Sequence, residues 1–222
     1  NSEAQLLLVR PYLQGADYAG AESAFRKVFT YDSASVPAYL SLSQLFERQK
    51  RADQSLNVLD EGLAAVPGSF ELRLTKAGLL ERRGQADAAI DIYEQLIKTR
   101  PNADVVANNL ASLLSDHRED EPSLKRANQL AQRFNASAIP HFKDTLGWTW
   151  LKLGNVEKAH EYIASAVKSM PKQPVFRYHM GLVLTAKNDA EAARRELTNS
   201  LELMGEEAVQ LRQQVKQALE KL

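Results

Sequence analysis

From Asp144 to Pro171, apolar residues recur at helical spacing in two runs, DTLGWTWLKL and VEKAHEYIASAVKSM, with Gly154 and Asn155 between them. Leu146, Gly147 and Trp150 share one side of the first run, and Ala159, Ile163 and Ala166 share one side of the second. Spacings of three and four residues predict two short amphipathic helices joined by a tight turn. Gly147 and Ala159 are small where two helices must approach, and Trp150 and Ile163 are large where they must fill space. The arrangement recurs 34 residues on, at Met180-Gly181, Leu184, Asn188, Ala193, Leu197 and Gly205.

Three series carry this period along the chain. Turns between paired helices fall at Ala16, Lys50, Gly84, Arg118, Gly154 and Asn188, at intervals of 34, 34, 34, 36 and 34. A small residue early in each second helix falls at Ala21, Ser55, Ala89, Ala127, Ala159 and Ala193. Ser33, Pro67, Pro101, Pro171 and Gly205 end the units. A helix pair repeated at this period predicts an all-α solenoid, in which each repeat buries its apolar face against its neighbours. The units are 2–35, 36–69, 70–103, 104–139, 140–173 and 174–207, followed by a capping helix over 206–222.

Several places depart from the pattern. Lys76 stands where an apolar residue is expected; either its stem lies along apolar surface with the amine in water, or the register slips there. In unit four HREDEP, 117–122, is about four residues longer than the turn needs, and Pro122 suits the first turn of the next helix. The link to unit five is two residues short. This predicts a continuous stack with a local bulge, or a hinge near 117–123 between two half-arrays. Leu6–Val9 is apolar with nothing upstream to cover it, which suggests preceding repeats or pairing with another chain.

Composition then narrows the function classes. The 222 residues carry 28 Lys plus Arg and 28 Asp plus Glu, so the net charge is zero. A general nucleic-acid or anionic-membrane binder shows a basic excess instead. There is no cysteine, which removes disulfides, thiolate metal sites and thiol nucleophiles. No apolar run approaches the ~20 residues needed to span a bilayer. The chain begins Asn-Ser-Glu, without a signal-peptide pattern, and reads as a mature or excised piece. No nucleophile elbow, Gly-rich phosphate loop or paired-His motif is present, so no enzyme activity, cofactor or metal is expected. The four histidines, His117, His141, His160 and His179, do not converge on a metal-ligand spacing.

The repeating positions resemble the tetratricopeptide repeat, whose pattern is W-x2-L-G-x2-Y, then A-x3-F, then P. Unit five supplies Leu146, Gly147, Trp150, Ala159, Ile163 and Pro171; unit one supplies Leu8, Tyr12, Ala21 and Phe25. The leading aromatic is missing nearly everywhere, with only Tyr39 in its place. The resemblance implies a right-handed superhelix whose first helices line a concave groove that binds a peptide or partner protein. It implies a scaffold or adaptor. The alternatives are a spacer acting through self-association and a regulatory segment of a larger protein. Asn108-Asn109-Leu110-Ala111 and Asp144-Thr145-Leu146-Gly147-Trp148 are similar to bacterial repeat proteins linked to exopolysaccharide export and exosortases. That likeness leans towards the cell envelope, with cytoplasm the alternative. The chaperone-binding members clamp a carboxylate with Lys and Asn, where this chain has Leu6, Arg10, Leu74 and Thr75, so the clamp is absent.

Carried onto this sequence, the groove positions are Gln44, Glu47 and Glu81 in units two and three. Unit four supplies Asn108, Asn109 and Ser112; unit five, Asp144, Trp148 and Lys152; unit six, Tyr178 and His179. The candidate partner-binding set is Asn108, Asn109, Ser112, Asp144, Trp148, Tyr178 and His179. Trp148 lies two residues from Trp150, roughly 200° around the helix. It is either an exposed anchor or packs on the next unit's first helix. Asn108 and Asn109 either bond the backbone of an extended peptide or are solvated helix residues. Single-stranded RNA would call for a basic groove, against which Asp144 and Glu81 argue.

Overall fold

The computed structural model describes residues 17–222, and its regular structure is helical throughout. The described residues form two compact units, below called unit one and unit two, that divide between Asn102 and Ala103, and the 34-residue elements are below called repeats. Unit one contains α1 (Tyr18–Tyr31), α2 (Val36–Arg48), α3 (Ala52–Ala65), α4 (Phe70–Arg82) and α5 (Ala86–Thr99). Unit two contains α6 (Asp104–His117), α7 (Glu121–Ala131), α8 (Pro140–Lys152), α9 (Val156–Ser169), α10 (Pro174–Ala186), α11 (Ala190–Leu203) and α12 (Val209–Glu220). Consecutive helices pair as hairpins: α2 with α3, α4 with α5, α6 with α7, α8 with α9, and α10 with α11. The first helices also touch along the stack, α2 against α4, α6 against α8, and α8 against α10. Leu6–Val9, Arg10, Tyr12 and Ala16 lie outside the described residues.

The turn series has one backbone cause. Lys50, Gly84, Gly154 and Asn188 all adopt positive φ, at 58°, 72°, 78° and 61°. At each, the next residue's amide donates back to the carbonyl five positions earlier: Arg51 to Phe46, Gln85 to Leu80 and Asn155 to Trp150 at 2.9 Å, and Asp189 to Leu184 at 3.0 Å. This is the Schellman ending, in which a left-handed residue lets the chain turn while capping the last carbonyls. A side chain at such a φ costs roughly 1–2 kcal/mol, with Asn better tolerated. Lys50→Gly is therefore expected to stabilise unit one by about 1 kcal/mol and Asn188→Gly to stabilise unit two by less. Thermal unfolding of each variant checks this, and a lower melting temperature for Lys50→Gly would contradict it.

The small-residue series marks the closest helix contacts. Ala21, Ser55, Ala89, Ala127, Ala159 and Ala193 are all fully buried. Four residues on, Phe25, Leu59, Tyr93, Ile163 and Leu197 are buried too. Lys76 keeps its register in α4 and reaches out to pair with Asp60 of α3. On α12 Val215 is buried, whereas Val209 remains exposed.

The fourth repeat turns differently. Arg118 is extended rather than left-handed, and Asp120 caps α7 by accepting from the Ser123 amide at 2.9 Å. Helices α6 and α7 pack as a hairpin across this turn. A 3-10 turn, Gln132–Phe134, replaces the missing proline. Its Phe134 is buried and stacks on Phe142 of α8 at 4.3 Å, and Lys143 Nζ donates to the Asn135 carbonyl at 2.5 Å. These contacts hold the shortened link.

Candidate functional site

All seven candidate residues lie in unit two, on α6, α8 and α10, the three first helices that stand side by side. Asn108, Asp144 and Tyr178 are each the fifth residue of their helix and so occupy one register along these three helices, with His179 one residue further on.

Trp148 is buried, at 7% exposure, and is not an exposed anchor. Its indole N–H donates to Asp116 Oδ1 of α6 at 2.7 Å. Its ring stacks on the His179 imidazole of α10, centroids 4.2 Å apart and planes within 11°. The Lys152 ammonium sits 4.9 Å from the same ring. The indole therefore ties α8 to both neighbouring first helices. Asp144 and His179 are also buried, at 5% and 9% exposure, with His179 Nδ1 and Asp144 Oδ2 at 2.9 Å. Asp144 Oδ1 is buried without a hydrogen-bond partner among the described residues. Burial works against charge on His179, but the adjoining Asp144 carboxylate, helped by Asp116, outweighs it and raises the imidazole pKa above its ordinary 6.5. These three side chains form the floor of the face.

The accessible groups surround that floor. Asn108, Asn109, Ser112 and Tyr178 are half-buried, and Asp116 and Lys152 are exposed. Asn108 Nδ2 donates weakly to Asn109 Oδ1 at 3.4 Å, and Asn108 Oδ1 is a buried acceptor with no partner among the described residues. Ser112 lies 3.4 Å from Asp116 Oδ2. The Tyr178 ring tilts against His179 at 5.7 Å; burial, then the charge of Asp116, raises its phenol pKa.

Asp116 was not among the sequence candidates, although it joins two of them. One signal pointed to it: it follows Ser112 by one helical turn, on the same side of α6. Two of the three candidates of unit one are engaged locally. Glu47 pairs with Arg82 at 3.2 Å, Glu81 accepts from the Tyr93 hydroxyl at 3.2 Å, and Gln44 is exposed. Among the histidines, His141 packs edge-on against Phe176 at 5.1 Å, and His117 is exposed. Among the described residues no three His, Asp or Glu side chains assemble as metal ligands, and no helix is long and apolar enough to cross a membrane.

The comparisons with known proteins agree with this architecture. Solved structures share the fold at low identity. A tetratricopeptide repeat protein from Parabacteroides merdae has a TM-score of 0.73 at 13% identity, covering 98% of this chain and 89% of that one. MamA from Desulfovibrio magneticus RS-1 has a TM-score of 0.63 at 22% identity, covering 78% of this chain and 95% of that one. YrrB, a repeat protein described as having an unusual peptide-binding site, has a TM-score of 0.62 at 16% identity, covering 89% and 100%. An uncharacterized protein of Sinorhizobium fredii is 29% identical over 107 residues, 48% of this chain. The match spans 59% of that relative's length. Two sequence profiles described as tetratricopeptide repeat match residues 6–70 and 48–114. With the repeating left-handed turns and buried small residues, these matches make the chain a member of the tetratricopeptide repeat family.

Proposed function

We propose that this chain is a non-catalytic scaffold that binds a peptide or partner protein on the first-helix face of unit two. One observation carries the reading. Helices α6, α8 and α10 lie side by side and present half-buried polar side chains, Asn108, Asn109, Ser112 and Tyr178, around a packed floor of Trp148, His179 and Asp144. Amide and hydroxyl groups of this kind match the donors and acceptors of an extended backbone. A floor locked by cross-repeat contacts is ordered before the partner arrives, which leaves most of the ordering cost to the partner. The peptide-binding site ascribed to YrrB supports the same use of the fold. The narrower reading, a partner in a bacterial envelope or exopolysaccharide system, rests on the Asn108–Ala111 and Asp144–Trp148 strings alone.

The test compares affinity capture by the chain and by an Asn109→Ala/Tyr178→Ala double variant, with circular dichroism confirming that both are folded. These two side chains border the face without joining the Trp148 contacts to Asp116 and the Asp144 contact to His179. The expected result is a captured protein that the variant loses at least tenfold. Equal capture by both would remove this face as the binding surface. Recovery of the chain alone, with mass rising with concentration, would favour self-association instead.

A further inference from the structure

His179 is a buried titratable group in the floor of that face. Its ring is held on two sides by one helix: Asp144 Oδ2 lies 2.9 Å from Nδ1, and the Trp148 indole stacks at 4.2 Å. Both Asp144 and Trp148 belong to α8, and His179 belongs to α10. Trp148 in turn donates to Asp116 of α6. With Asp144 ionised, Nδ1 carries the hydrogen and donates to it, which leaves Nε2 as the nitrogen that gains or loses the second proton. Gaining it turns the hydrogen bond into an ion pair inside a low-dielectric site and sets a cation against an aromatic face, both favourable.

We propose that His179 is a proton-linked latch, clasped by Asp144 and Trp148, which tightens the packing of α10 on α8 when protonated and loosens it when neutral. Every element packed on α10 bears on this balance. From α8 Asp144 favours the proton and Lys152 opposes it, and from α6 Asp116 favours it. On α10 itself Tyr178 lies beside the ring. On the remaining neighbours, Glu157 of α9 pairs with Lys187, Glu196 of α11 with Arg177, and Arg212 of α12 donates to the Leu201 and Met204 carbonyls.

The sign follows from linkage. A histidine that holds its proton more tightly folded than unfolded adds stability that is complete below the unfolded pKa and is lost as pH rises through the folded one. The contribution of His179 to unit two is therefore complete below the ordinary value of 6.5 and is lost as pH rises through the raised folded value. The latch shares its side chains with the floor of the proposed binding face, but its test needs no ligand. The histidine rings of the full chain are titrated by NMR from about pH 5.5 to 8.5, a window spanning histidine ionisation. His179 is assigned through its own backbone. The expected midpoint lies above 6.5 in the wild-type chain and drops below it in Asp144→Asn, where burial persists without the carboxylate charge. The urea midpoint should fall as pH rises above 6.5 in the wild type and lose that slope in His179→Gln. A wild-type midpoint at or below 6.5, no drop in Asp144→Asn, or an undiminished slope in a folded His179→Gln would each overturn the proposal. If a variant does not fold, the wild-type titration alone decides it.

Discussion

Gly147→Val is expected to destabilise unit two by about 3 kcal/mol or more, enough to lose its cooperative unfolding transition at moderate denaturant. A Cβ at Gly147 would stand 2.6 Å from Ile163 Cγ1 and 3.1 Å from both the Ala159 carbonyl oxygen and the Ile163 amide nitrogen. Ile163 is fully buried, and the other two atoms are backbone, so neither neighbour yields readily. Valine adds a branched side chain to that clash. Gly78 is the control, because a Cβ there meets nothing closer than Arg82 Nη1 at 3.7 Å and Tyr93 Oη at 3.8 Å. Gly78→Ala should stabilise α4 by roughly 0.5–1 kcal/mol, the ordinary gain of replacing a mid-helix glycine. Both tryptophans of the chain, Trp148 and Trp150, lie on α8. Tryptophan fluorescence during urea unfolding therefore reads unit two directly. An unchanged midpoint for Gly147→Val would show that α8 and α9 do not approach this closely. In a double-mutant cycle, Ile163→Ala should cost less beside Gly147→Ala than alone, since removing Cγ1 relieves the clash.

Trp148→Ala should cost about 3–5 kcal/mol, the range for truncating a buried aromatic side chain. An exposed groove tryptophan would change stability within about 0.5 kcal/mol, so the two roles considered for this residue predict different results. The loss comprises the buried ring, the stack on His179 and the hydrogen bond to Asp116. Trp148→Phe separates these. It keeps a ring against His179 and loses the N–H, so it should cost far less, with about 1 kcal/mol for the missing bond. Trp150 remains as the fluorescent reporter in both variants. A stable Trp148→Ala chain that had lost its partner would restore the anchor role. A destabilised one would make Trp148 unsuitable for probing the binding face, which is why Asn109 and Tyr178 carry that test.

The repeat was legible because its marks are local. A left-handed turn requires glycine, asparagine or a tolerated exception, and it recurs as Lys50, Gly84, Gly154 and Asn188. A close helix contact requires a small side chain, and it recurs as the buried series from Ala21 to Ala193. Where the fourth repeat lost these marks, the sequence still showed an irregular link. It did not show that Phe134 and Phe142 would fill the link by stacking.

By itself, the sequence determined the helix pairs, their period, the turns and the residues between paired helices, because each depends on φ and on spacing within about 34 residues. It also placed seven candidate residues on three first helices. Only the tertiary structure decided which of those residues are covered. Trp148 points away from Trp150, and whether that side meets water depends on where α6 and α10 lie and on what Asp116 and His179 offer there. The division at Asn102 was decided at the same level. Packing between repeats sums contacts over many residues distant in sequence, so no single spacing records its outcome.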